Sequence, residues 1–126
     1  MKKFFNLLSL FVLVITLCSM INYISAGSPN YGYSKEKYQL WYEGYVQILP
    51  EYNENGFHAR RGALRYYITG ERDTGWVWTE YGKNQEDPKI YSRKLSFRDS
   101  LNPASPDTQF RTNFDWVEHS KFPYAW

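Results

Sequence analysis

Trp41, Glu43 and Tyr45 occupy alternate positions of one segment, Arg65 and Tyr67 of a second, and Trp76, Trp78 and Glu80 of a third. If the three segments are neighbouring strands in matching phase, all eight side chains share one face. Indole and phenol rings stack on flat apolar faces such as those of pyranose sugars, while carboxylate and guanidinium groups take up hydroxyls. The set is therefore a candidate binding surface. The competing account is structural: in a two-layered β fold one face of each sheet is core, large indoles are usually well buried, and a one-residue slip of the third segment would turn Trp76 and Trp78 to the other side.

Other side chains offer less chemistry. Arg60, Arg61 and Arg65 are the densest basic group, but strand alternation separates Arg60 from the other two, and pairing with Glu43 and Glu80 accounts for them. His58 and His119 are the only histidines, with no spacing that supplies further metal ligands, so no metal site is expected. Glu43 and Glu80 are the best carboxylate pair for glycoside hydrolysis. An arginine beside Glu80 would lower its pKa, the opposite of what a general acid needs. Ser96 and Ser100 lack nucleophile-elbow glycines, and no glycine-rich phosphate loop occurs. We expect no catalytic residues, no cofactor and no enzyme.

The elements that must position the aromatic residues read as strands. Residues 38–49 alternate, with Leu40, Tyr42, Val46 and Ile48 on one side. Residues 57–69 place Leu64, Tyr66 and Ile68 on one side. Residues 76–81, 89–100 and 108–118 complete the set, the last with Phe110, Thr112, Phe114 and Trp116 in alternation. No convincing helix or internal repeat follows the N-terminal segment. The fold class expected is all-β, a small antiparallel sandwich or barrel of about five strands, preceded by a signal-peptide helix. Asn55-Gly56 marks a hairpin. A three-residue loop, 54–56, would set Val46 opposite Leu64, Tyr42 opposite Ile68, and the Tyr66 ring over Gly44. A six-residue loop at 70–75 would set Ile68 opposite Val77 and Arg65 opposite Glu80.

The N-terminus supplies a compartment. Lys2 and Lys3 precede a charge-free run from Phe4 to Ile21, and Ser25-Ala26 offers small residues for cleavage, the order of a secretory signal. The division expected is 1–26 signal, 27–37 loose leader and 38–126 a single domain, with no stable transmembrane segment once the signal is cut. Retention of the run as an anchor is the alternative. Cys18, the only cysteine, lies in the signal, so the domain has no disulfide. It holds 13 cations against 13 acids, and a neutral balance with scattered cations argues against nucleic acid as a partner. The absence of Asn-x-Ser/Thr acceptors fits a secreted bacterial protein of Gram-positive type.

Two functions follow as expectations. The first is a secreted, non-enzymatic binding module that uses the aromatic face, with cell envelope or extracellular glycan as its target. The second comes from layout. A signal, a cysteine-free Tyr/Trp-rich all-β domain and the aromatic end Phe122-Pro123-Tyr124-Ala125-Trp126 are together similar to lactococcin-972-type bacteriocins. That resemblance implies an antagonistic protein acting on the envelope of target cells, and it carries no individual site residues with it. The aromatic end must either dock on the domain or face a partner.

Overall fold

The computed structural model describes residues 28–121. The expected signal helix, Cys18 and the aromatic end 122–126 lie outside the described residues. The described chain is nearly all β, with antiparallel pairing throughout. The strands are β1 (Tyr31–Lys37), β2 (Trp41–Ile48), β3 (Phe57–Ile68), β4 (Arg72–Asp73), β5 (Val77–Trp78), β6 (Tyr91–Arg98) and β7 (Gln109–Glu118). A single 3-10 turn, His119–Lys121, follows. Among the described residues seven strands thus replace the five expected, two of them only two residues long. Among the described residues no helix is long and apolar enough to cross a membrane.

One sheet has the order β1-β2-β6. In the other, β3 is central, with β7 along one side and β4 and β5 along the opposite side. The alternation expected for β2 and β3 is present: Gly44, Val46 and Ile48 are buried, as are Gly62, Leu64, Tyr66 and Ile68. The two buried rows face each other. A Cβ on Gly44 would lie 2.7 Å from both Leu64 Cδ1 and Tyr66 Cε2, and one on Gly62 would meet Val46 and Ile48 at 3.0 and 3.1 Å. Tyr66 stacks on Phe97 at 5.3 Å between ring centroids, lies 5.0 Å from Phe110 and 6.0 Å from Tyr42, and shares a 2.6 Å hydrogen bond with Ser34. One side chain thereby touches β1, β2, β6 and β7.

Several pairings differ from expectation. β2 and β3 do not form a hairpin; they belong to different sheets, so Tyr66 covers Gly44 across the interior rather than along a ladder. Asn55-Gly56 still makes a turn, with φ of 52° and 81°. It is a two-residue turn closed locally by reciprocal 2.9 Å bonds between Glu54 and Phe57, and the three-residue loop is not formed. The chain after β3 turns back sooner than expected: Ile68 pairs with Arg72 and Leu64 with Val77, which replaces the Ile68–Val77 and Arg65–Glu80 registers. The stretch 27–37, expected to be a loose leader, contains β1, paired with β2 over its whole length. Its inward positions are Gly32, Ser34 and Glu36, so it lacks the apolar alternation that marks a strand in sequence.

The glycine at 44 is set by space. Leu64 and Tyr66 already fill the volume a side chain would need, and inserting a methyl into such a core costs about 1–3 kcal/mol. Gly44→Ala should lower the unfolding free energy by that amount, read as a lower urea midpoint at an unchanged denaturant slope. An unchanged midpoint would show that the two sheets do not meet at this point.

Candidate functional site

Because β2 and β3 turn their buried rows toward each other, their alternate rows point away on opposite sides. Trp41, Glu43 and Tyr45 therefore lie on the outer face of β1-β2-β6, whereas Arg65, Tyr67, Trp76 and Trp78 lie on the outer face of the other sheet. Glu80 belongs to neither row; it is exposed and lines a hollow with Lys89, Tyr91 and Arg93 beside the start of β6. The eight residues expected on one face are not gathered there. Glu43 and Glu80 are likewise apart, Glu43 on β2 and Glu80 outside the strands, and Glu43 pairs with Lys37, not with an arginine.

The face on β3 is occupied by its own side chains. A register shift between Ala59 and Arg61 inserts a bulge at Arg60. The bulge puts Arg60 and Arg61 on the same side, which strand alternation alone would not, and both reach Asp115 Oδ2, at 2.7 and 3.2 Å. The Arg61 guanidinium lies 4.1 Å from the Trp78 ring centroid and 4.6 Å from that of Tyr81. Arg65 covers Tyr67 at 4.9 Å, approaches Trp76 at 5.8 Å, and is held by Asp73 in a bidentate ion pair. Ala63, in the outward phase between Trp78 and Asn113, is fully buried. The ring faces of Trp78, Tyr81 and Tyr67 are here already covered by guanidinium groups.

The outer face of β1-β2-β6 is more open. Its cross-strand rows are Lys37–Trp41–Arg98, Lys35–Glu43–Ser96, Tyr33–Tyr45–Lys94 and Tyr31–Gln47–Ser92. Tyr33 is 54% and Trp41 44% exposed. Two hollows adjoin on this face. One of about 470 Å³ is lined by Tyr33, Lys35, Tyr45 and Lys94, the other of about 250 Å³ by Lys37, Tyr38 and Trp41, and both are bordered by Glu43 and Ser96. Tyr38 stands at the β1–β2 turn with φ 55° and Gln39 beside it with φ 62°, two non-glycine residues in the left-handed region, where side chains are seldom found. Lys37 donates to Glu43 at 2.9 Å and, with further pull from Lys35 and Lys94, holds the Glu43 carboxyl below its usual range. The same contact raises Lys37. Three lysines thus surround one carboxylate that remains ionised. The even charge balance of residues 27–126 conceals this segregation, and the expectation of scattered cations does not hold on this face.

Of this face, Trp41, Glu43 and Tyr45 are foreseeable from β2 alone, whereas Tyr33, Lys35, Lys94 and Ser96 are not, because they sit on strands whose place beside β2 is set by sheet order. The pairing of the two histidines is not foreseeable either. His58, buried, donates from Nδ1 to the Pro50 carbonyl at 2.8 Å, and its Nε2 shares a 2.7 Å hydrogen bond with His119 Nδ1. This contact ties β3 to the turn after β7. Among the described residues no group of three or more His, Cys, Asp or Glu could hold a metal ion. The chain matches no protein-family model, no curated protein and no solved structure.

The Arg65–Asp73 pair has a pH signature. The guanidinium, with the Gly75 N–H, draws the Asp73 carboxyl down to about 2. A depressed carboxyl stabilises the fold above its unfolded value near 4 and loses that contribution as pH falls toward 2. Asp73→Asn should lower the thermal midpoint at pH 7 and converge with the wild type by about pH 2. A midpoint difference that stays constant across that range would show that the ion pair contributes nothing.

Proposed function

We propose that this chain is an exported, non-enzymatic binding module, built as a small β-sandwich, that holds an extracellular or cell-envelope glycan on the outer face of β1-β2-β6. The observation that carries the reading is the pair of adjoining hollows along β2, floored by exposed rings of Tyr33 and Trp41 and joined at Glu43 and Ser96. Trp41 and Tyr45 are four residues apart on one strand, about 13 Å at ~3.3 Å per residue, a length suited to a short stretch of polysaccharide. Glu43, held ionised by Lys37, accepts hydrogen bonds and is poorly placed to donate a proton, which favours binding over hydrolysis. The export signal read from residues 1–26 supports an extracellular target.

The test is sedimentation of the purified protein with isolated cell walls, alongside a soluble glycan panel. Stacking between two aromatic rings is worth about 0.5–1.5 kcal/mol beyond the area it buries; a ring on a sugar face is taken to be of that order, and ~1.4 kcal/mol is tenfold in affinity. Trp41→Ala and Tyr33→Ala should each weaken binding about tenfold and leave the thermal midpoint within a few degrees of the wild type. Trp78→Ala should lower the midpoint and leave affinity unchanged. Undiminished binding by the Trp41→Ala, Tyr33→Ala double variant would overturn the reading. So would growth inhibition of sensitive cells without any glycan binding, the outcome expected of an antagonistic protein.

A further inference from the structure

We propose that the ligand of the β1-β2-β6 face is an acidic polysaccharide, a chain whose sugars carry carboxylate, sulfate or phosphate groups. The inference rests on the glycan reading above and adds the chemistry of the ligand. Neutral sugars are usually gripped by side chains that accept from or bridge their hydroxyls. The outer rows of this face offer one carboxylate and one carboxamide, and both are engaged within the protein. Glu43 is bound to Lys37; Gln47 accepts from the Tyr45 hydroxyl at 2.7 Å and donates to the Pro29 carbonyl at 3.0 Å. Besides the hydroxyls of Tyr31, Tyr33, Ser92 and Ser96, what the face leaves available is cationic. Among the described residues Lys35, Lys94 and Arg98 enter no ion pair, and the Arg98 guanidinium lies 5.9 Å from the Trp41 ring centroid.

The placement of these cations fits a polymer lying along β2. Lys35 and Lys37 form one bank on β1, Lys94 and Arg98 the other on β6, and the aromatic row of β2 runs between them. Neighbouring strands are about 4.8 Å apart, so each bank lies well inside the Debye length of ~8 Å at physiological salt. A polysaccharide whose successive rings turn over presents its charged substituents alternately to left and right, matching two banks. A single-stranded nucleic acid carries its phosphates in one track beside the bases and would use a single bank.

The experiment compares dextran, carboxymethyl-dextran and dextran sulfate, which share one backbone, as ligands for the purified protein across a salt series. Single-stranded oligothymidylate and phosphatidylglycerol vesicles serve as the other polyanions. The charged dextrans should bind at least tenfold more tightly than dextran, with affinity falling as salt rises. The Lys35→Gln, Lys94→Gln double variant should lose at least tenfold on them and show a shallower salt dependence at an unchanged thermal midpoint. Arg111→Gln, on the other sheet, should bind as the wild type does. Equal binding of dextran and its charged forms, with Trp41→Ala still deficient, would overturn the acidic ligand and leave the glycan reading standing. Failure of every polysaccharide and of the cell-wall preparation would overturn both. Tighter binding to oligothymidylate or vesicles, or wild-type affinity in the lysine double variant, would also overturn the proposal.

Discussion

The contact on which the rest of the architecture depends is the seating of Tyr66 over Gly44. Tyr66 is fully buried and its ring meets Tyr42, Phe97 and Phe110, while its hydroxyl bonds Ser34. A ring of this size fits between the sheets only where the opposite strand lacks a side chain. Gly44 supplies that space, and Gly62 does the same for Val46 and Ile48 one step further along. The two glycines let β2 and β3 approach through their buried faces. Once they do, all other side chains of those strands are committed to one of two outer surfaces that cannot communicate through a common ligand.

That commitment explains what was legible in the sequence. Which residues of β2 and β3 are buried follows from period-two alternation, and Val46, Ile48, Leu64, Tyr66 and Ile68 are all where that alternation puts them. Which strands pair does not follow from it. A strong turn at Asn55-Gly56 suggests that the flanking segments hydrogen-bond to each other, yet the turn closes only Glu54 on Phe57, and the chain has crossed to the second sheet by then. Alternation is the same for a strand paired in a ladder and for one stacked across a core, so Tyr66 over Gly44 could be foreseen as a contact and misassigned as a register. β1 was hidden for the opposite reason: Gly32, next to Thr112 of β7, and Ser34, bonded to Tyr66, stand at inward positions where an apolar residue would have announced a strand.

The candidate site was legible to the same degree. Trp41, Glu43 and Tyr45 share a face because they share a strand, and that much needs no tertiary information. Their partners Lys35, Tyr33, Lys94 and Ser96 come from strands whose neighbours are set by sheet order. Arg60 shows a subtler limit. One extra residue in β3 reverses the phase of alternation, so two adjacent arginines reach a single carboxylate of Asp115. A bulge of this kind leaves no mark in hydropathy.

The two outer faces have related compositions and opposite dispositions. On β3 the guanidinium groups lie on the rings at 4.1–4.9 Å, and the carboxylates of Asp73 and Asp115 hold the arginines there, so cation and aromatic surface satisfy each other. On β2 the cations stand farther from the rings, Lys37 at 5.7 Å from Tyr38 and Arg98 at 5.9 Å from Trp41, and most of them are lysines on β1 and β6, whose compact ammonium groups prefer hydration to stacking. Rings left uncovered and charges left unpaired are both costs that a closed surface avoids. Their coincidence along one strand, at a turn that also holds Tyr38 and Gln39 in the left-handed region, marks the face that the fold keeps open.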